Sequence, residues 1–143
     1  MNAPEEQLHV NAWVFVAIAT ATTEFSSALS NVMASADFYN HSIPGRPGFE
    51  HAIRDLTAAG LINAQPTAFT LTPRGNLVWK NVQKEGPAHR HLEIARAALQ
   101  TTGCVGDEPG WSIDERAWED AFAAYSPQFA VELKRRRAKQ LNP

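Results

Sequence analysis

Apolar residues follow two different patterns in the first third of the chain. Residues 8–22 are apolar on nearly every side, which predicts a buried central helix, with a buried strand over 12–18 as the alternative. After Thr23, a candidate N-cap, apolar residues recur at helical spacing and form one stripe. The members of that stripe are Phe25, Leu29, Val32, Met33 and Ala36. A second helix is therefore expected, ending near Asn40, while residues 1–7 are expected to fray.

The middle of the chain changes from helical spacing to alternation. A turn rich in proline and glycine, 43–48, precedes a short helix expected over 47–59. Gly60 suits the left-handed position that follows a helix. Residues 61–62 and 68–71 then predict two short strands joined as a hairpin.

The rest of the chain again has helical patterns. Thr72 is a candidate N-cap for a helix ending near Gly86, and Ser112 with Glu115 forms the spacing of a capping box. A last helix should start after Ser126. The apolar residues that mark these helices are Leu77, Val78, Val82, Leu92, Ala95, Leu99, Trp118, Phe122, Tyr125, Phe129 and Leu133. The pattern predicts a mainly helical protein with one small β-hairpin.

Composition and charge narrow the class of protein. The chain of 143 residues is 44% hydrophobic and 20% charged, which is ordinary for a soluble globular protein. Its longest apolar run, 12–19, is too short to span a bilayer, and its start is acidic where a signal peptide would be basic. We therefore expect a cytoplasmic protein with no membrane partner. Residues 1–133 carry 8 basic and 15 acidic side chains, a balance of −7, whereas the last ten residues are basic.

Two strings in the middle of the chain carry a family resemblance. Residues 55–62 read Asp-Leu-Thr-Ala-Ala-Gly-Leu-Ile, and residues 71–75 read Leu-Thr-Pro-Arg-Gly. Together with the predicted order of elements, they resemble the passage from recognition helix to wing in MarR-type and PadR-type bacterial regulators. The resemblance implies a winged helix-turn-helix domain over 8–86. It also implies that the helices of 87–143 extend it, packed on it as one compact unit, and that they serve dimerisation.

Members of this family that bind DNA present cationic and polar side chains from the third helix and the wing. Here the solvent face of the third helix offers Glu50, His51, Arg54 and Asp55, and the wing residues 63–68 carry no positive charge. Between Glu24 and Lys80 there are four acids and four bases. Since phosphate contacts dominate DNA affinity, this neutral footprint should bind DNA poorly. If DNA is bound, the candidate contacts are Arg46, His51, Arg54, Arg74, Lys80, Arg135 and Arg136.

The segment 107–120 is a second candidate site, because it holds six acids against one arginine. Two tryptophans within it are of the residue type that anchors protein interfaces. The candidate residues for contact with a basic protein are Asp107, Glu108, Trp111, Asp114, Trp118 and Glu119. The alternative is a loop and helix start in which acids favour the helix dipole and the tryptophans are core. The basic tail, 134–139, has three interpretations: a phosphate contact, a solvated helix end, or a contact with an acidic surface of this chain or of a second copy.

The residues give little support for a catalytic function or for metal binding. The chain has no glycine-rich phosphate loop and no nucleophile elbow or zinc-protease motif. Its single cysteine, Cys104, allows no internal disulfide and no multi-cysteine zinc site. His89 and His91, two residues apart on a helix, would point in different directions and would not share one ion. No enzyme activity, cofactor or metal is expected.

These arguments predict a non-catalytic binding protein that acts through protein–protein contact. It would be a regulatory, inhibitory or immunity-type protein, and its acidic face would meet a basic partner. The alternative is a DNA-binding transcriptional regulator, which the family resemblance implies.

Overall fold

The computed structural model describes residues 3–24, 28–102 and 110–141. Its elements are α1 (Ala3–Glu24), α2 (Leu29–Asn40), α3 (Arg46–Ala58), β1 (Ile62–Ala64), β2 (Phe69–Leu71), α4 (Pro73–Glu85), a 3₁₀ turn (Ala88–Arg90), α5 (His91–Thr102), α6 (Glu115–Tyr125) and α7 (Pro127–Leu141). The protein is mainly helical with one small antiparallel sheet, as the pattern predicted.

The helix α1 is the centre of the fold. Residues 11–19 are all buried, because α2, α3 and α5 pack around this helix. Burial of one large side chain such as Phe15 contributes about 1.5–3 kcal/mol. The helix prediction for this run is confirmed and the strand alternative is wrong. The expectation that residues 1–7 fray is wrong from Ala3 onward, because α1 begins there.

The start of α2 differs from the prediction. Thr23 belongs to α1, and the N-cap of α2 is Ala28, which has no capping side chain. The helix start is held instead by the hairpin, since Leu29 N donates to Thr67 O at 2.9 Å and Ala28 bridges Ala68. Phe25, predicted in the α2 stripe, lies outside the described residues.

The hairpin follows α3 as predicted. Gly60 has φ +74°, the left-handed conformation expected of the residue after a helix. β1 and β2 are antiparallel, with Asn63 opposite Thr70. Thr72 then caps α4, accepting from Gly75 N at 3.0 Å, as predicted. On α4 the buried face carries Trp79 and Val82, whereas Leu77, one of the apolar residues that marked this helix in the sequence, is 62% exposed.

The C-terminal helices pack on the first part of the chain in order. α5 lies against α1 and α4, α6 lies against α2, and α7 packs on α6. The predicted capping box at the start of α6 is wrong. The N-cap is Asp114, whose carboxylate accepts from Ala117 N at 2.7 Å, so the helix begins at Glu115. Ser112 precedes that position and is exposed.

Candidate functional site: the face of α3 and the α6–α7 groove

Residues 110–114, called the strap here, lie across α3 and the hairpin. The Trp111 ring packs edge-on against Phe49 and Phe69, at centroid distances of 5.8 and 5.5 Å. Its indole Nε1 donates to the carbonyl oxygen of Gln65 in the hairpin loop at 2.9 Å. Ile113 is buried against the core. The strap therefore ties the entry of α6 to both the third helix and the hairpin.

Three charged side chains on α3 hold the strap. They are Arg46, Glu50 and Arg54, spaced by four residues and so on one face of the helix. Arg46 Nη1 donates to Ile113 O at 3.2 Å, and Arg54 Nε donates to Trp111 O at 3.0 Å. The Glu50 carboxylate accepts from Ile113 N at 3.3 Å. This face of α3, which sequence placed in solvent, is covered by the chain itself.

The other two polar residues of α3 have different environments. Asp55 is buried and accepts from the Asn11 side-chain amide at 2.9 Å, so its prediction as a solvent-facing acid is wrong. His51 is exposed, and its Nε2 lies 3.5 Å from an Asp55 carboxylate oxygen. Three candidate DNA contacts lie on α3: Arg46, His51 and Arg54. Of these, His51 is exposed, whereas Arg46 and Arg54 are partly buried and donate hydrogen bonds to the strap.

The remaining candidate DNA contacts are on other helices. Arg74 and Lys80 are exposed on α4, on the same side as the exposed Leu77. Arg135 is exposed on α7. Arg136 forms an ion pair with Glu132 one turn earlier, at 2.5 Å, and its guanidinium lies 5.9 Å from the centre of the Phe129 ring. The structure therefore does not gather the seven candidates into one patch on α3 and the wing.

The candidate protein-contact residues have internal roles as well as exposed ones. Trp111 is packed in the strap, and the Trp118 ring packs on Phe49 at 5.2 Å, so both tryptophans are partly buried. Asp114 caps α6 and remains exposed. The Glu119 Oε2 atom lies 3.9 Å from Arg137 Nη2. Asp107 and Glu108 lie outside the described residues.

The basic tail forms the last turns of α7, and one of its arginines folds against the acids of α6. Arg137 Nη1 lies 2.8 Å from Asp120 Oδ1 and its Nη2 lies near Glu119. This arrangement matches the interpretation in which the tail contacts an acidic surface of its own chain. The other cations of the tail, Lys134, Arg135, Arg136 and Lys139, are exposed.

A groove of about 670 Å³ separates the start of α6 from α7. Its α6 wall carries Asp114, Glu115 and Glu119 together with Arg116, and its α7 wall carries Arg136 and Arg137. The predicted acidic face therefore forms most of one wall of a groove whose opposite wall is basic. Since charged side chains of both signs line it, the groove suits a polar, charged protein surface more than an apolar ligand.

Sequence reasoning did not find the strap. Gly110, Trp111 and Ser112 have no helical or alternating pattern, and hydrogen bonds to backbone carbonyls leave no trace in residue types. The one available signal was Trp111, a large aromatic residue next to a helix start, for which the sequence left an interface anchor and a core residue as alternatives.

No protein-family model, curated protein or solved structure matches this chain. Within the described ranges, no helix is both long and apolar enough for a membrane span. Within the same ranges, no group of three or more histidine, cysteine or acidic side chains is placed to hold a metal ion.

Proposed function

We propose that this protein is a non-catalytic binding protein with a winged-helix type of fold, and that it acts through protein–protein contact. The partner would be a protein with a basic surface, which meets the acidic wall of the groove between α6 and α7.

The order of elements supports the winged-helix part of this proposal. Three helices, a hairpin and a fourth helix follow one another, and Ala28, the residue before α2, bridges Ala68, the residue before the second strand of the hairpin. In that arrangement α3 is the reading helix and the loop between β1 and β2 is the wing. The same order is what the sequence resemblance to MarR-type and PadR-type regulators implies.

The strap is the observation that carries the protein-contact proposal. DNA recognition through a reading helix needs its cationic side chains to reach phosphates or base edges. Here Arg46 and Arg54 donate to carbonyl oxygens of the strap instead. To release each arginine would cost about 1 kcal/mol in this half-exposed position. It would also undock Trp111 from the aromatic side chains beneath it.

The acidic wall supports the choice of partner. Asp114 and Glu115 are both exposed at the first turn of α6, and Glu119 follows one turn later. The half-buried Trp111 and Trp118 both pack on Phe49 of α3, which joins the strap and the start of α6 to that helix. A contact surface built on packed elements loses little entropy on binding.

The test is affinity capture from nuclease-treated lysate with three forms of the protein: wild type, Glu115→Lys and Glu85→Lys. Glu85 is an exposed acid at the end of α4, so its reversal makes the same charge change away from the groove. We expect one stoichiometric protein partner for wild type and Glu85→Lys, and at least about tenfold less for Glu115→Lys. The proposal is wrong if no partner survives nuclease, or if Glu115→Lys captures it as well as wild type.

One observation favours the alternative of a DNA-binding regulator. Arg74, Lys80 and Lys84 are exposed on one side of α4, with exposed Lys134, Arg135 and Lys139 on α7. Phosphate contacts from these two helices would make binding steeply dependent on salt. Fluorescence anisotropy against a pool of duplex DNA tests it. Nanomolar binding in physiological salt that the double change Arg74→Glu and Lys80→Glu abolishes would establish the alternative and overturn our proposal.

A further inference from the structure

The charged side chains of α3 hold the strap by its main chain. Arg46 and Arg54 donate to carbonyl oxygens of the strap, at 3.2 and 3.0 Å. The Glu50 carboxylate accepts from a backbone amide of the strap at 3.3 Å. Every residue except proline offers the same amide and carbonyl groups. These three side chains can therefore hold an extended segment of almost any sequence.

Two side chains of the strap supply the selectivity. The Trp111 ring packs on two phenylalanine rings and donates a hydrogen bond to the hairpin loop, and Ile113 is only 5% exposed. Ser112 and Asp114, the residues after them, are exposed. This alternation is that of an extended chain, whose successive side chains point to opposite sides. The surface thus selects an aromatic residue and, two positions later, a branched aliphatic one.

The surface that holds the strap has the features of a peptide-binding site. In such sites hydrogen bonds to the main chain hold a segment, and contacts with alternate side chains select it. We call this surface the strap site, and it is formed by Arg46, Phe49, Glu50, Arg54, Gln65 and Phe69.

Exchange of the strap for another segment of the same pattern would preserve these contacts. The hydrogen bonds and ring contacts that the strap loses would be formed again by the incoming segment. The remaining cost is that of association, which a partner offsets through contacts outside the strap site. Asp114 ends the strap and also lies on the acidic wall of the α6–α7 groove. A protein bound at that wall would therefore hold its own segments at high local concentration beside the strap site.

We infer that the strap site binds an extended segment of a partner protein, and that the strap is its occupant in the free protein. The segment carries an aromatic residue in the position of Trp111 and a branched aliphatic residue in that of Ile113. The inference rests on the proposed function only in taking the partner to be a protein. Its test uses no partner and does not involve the acidic wall, so either proposal can fail while the other stands.

Peptide titration of the full chain tests the inference. The probe is the blocked peptide of residues 110–115, Gly-Trp-Ser-Ile-Asp-Glu, and the control peptide has alanine in place of tryptophan. Backbone amide signals of α3 and the hairpin loop, measured by NMR on isotope-labelled protein, report occupation of the strap site. We expect saturable shifts of these signals with the probe, much weaker binding of the control peptide, and no shifts on α7.

Variants that loosen the strap should raise the affinity for the probe, because strap and probe compete for one site. Trp111→Ala leaves the strap site itself intact and should bind the probe at least about tenfold more tightly than wild type. Trp111→Phe retains most of the packing and should have an intermediate affinity. Circular dichroism shows whether each variant is folded. If Trp111→Ala is not, Trp111→Phe against wild type decides.

A second pair of variants tests the contacts to the main chain. Added to Trp111→Ala, the change Arg54→Gln removes one donor from the strap site and should weaken probe binding by about fivefold. Arg135→Gln removes the same charge from an exposed position on α7 and should leave the affinity unchanged.

Four results would overturn the inference. The first is no saturable binding to a folded, loosened variant at about 5 mM probe, the millimolar scale at which a tethered segment competes. The second is equal binding of the probe and the control peptide. The third is equal affinity of wild type and the loosened variants, which would place the probe elsewhere. The fourth is a wild-type dimer in sedimentation that the probe dissociates, since the occupant would then be the strap of a second copy.

Discussion

The strap gives a sharp stability prediction, because one side chain supplies much of its packing. In Trp111→Ala, two edge-on ring contacts are lost, each worth about 0.5–1.5 kcal/mol beyond the area they bury. The hydrogen bond from Nε1 to Gln65 O is also lost, at about 1 kcal/mol. A fully buried tryptophan costs about 3–5 kcal/mol when truncated to alanine. Since Trp111 is only partly buried, we expect a loss of about 2–3 kcal/mol.

The conservative change Trp111→Phe separates the two contributions. The phenyl ring can keep the packing on Phe49 and Phe69, and only the Nε1–H donor disappears. Gln65 is exposed, so water replaces that donor at its carbonyl oxygen. The expected loss is therefore about 0.5–1 kcal/mol, at the low end for a hydrogen bond.

Equilibrium unfolding in urea, followed by circular dichroism, measures these differences. With a slope of about 2 kcal/mol per molar, Trp111→Ala should lower the midpoint by about 1 M. Phe38→Ala is the matched control, since it truncates an aromatic residue that is mostly exposed, and it should change stability by less than about 0.5 kcal/mol.

Two results would refute the reasoning. If Trp111→Ala is as stable as Phe38→Ala, the strap does not dock on α3. If Trp111→Ala instead gains DNA binding at moderate salt, the strap is a removable cover over Arg46 and Arg54. That outcome would favour the regulator over the protein-contact proposal.

Two further predictions concern the framework of the site. A Cβ at Gly75 would lie 2.0 Å from the backbone oxygen of Leu61, so Gly75→Ala should cost several kcal/mol of stability, of order 2–4, in a thermal melt. Gly110→Ala, with nothing within 4 Å of the new Cβ, should be neutral, and equal melting of the two would contradict the packing. The hydrogen bond from Tyr125 to Asp37 raises the pKa of Tyr125, helped by burial and by the Asp37 charge. The stabilisation of the folded protein by this hydrogen bond should therefore be complete below about pH 10, and it should be lost as pH rises through the higher pKa of Tyr125 in the folded state. Tyr125→Phe should remove that high-pH loss, and an unchanged pH profile would contradict it.

The amino-acid sequence by itself determined the order and type of the elements. The run 8–22 could only be buried, and it is the central helix because α2, α3 and α5 surround it. Gly60 and Thr72 marked the ends of α3 and the start of α4, because the left-handed turn and the N-cap are local interactions. Both interactions join residues no more than four positions apart, so the residue pattern along the chain is enough to predict them.

Helix ends held by distant residues could not be predicted in the same way. The start of α2 is fixed by a hydrogen bond to Thr67, which lies in the hairpin. Leu77 fitted an apolar stripe, yet in the described residues nothing packs over that side of α4 and the side chain is mostly exposed. Which face of a helix is covered depends on where the other elements lie, and residue spacing does not contain that information.

The candidate sites could be predicted from the sequence even less well than the helix ends. From the sequence, Arg54 was expected on the solvent face of the third helix and Arg46 was a candidate DNA contact, whereas both donate to backbone oxygens more than fifty residues away in the strap. A concave surface between the start of α1, the end of α2 and the start of α5 collects side chains that share no motif, among them His9, Tyr39 and Leu92. Charge and composition are properties of the chain, but a site is an arrangement of side chains in space, and only the packing of helices around α1 brings these residues together.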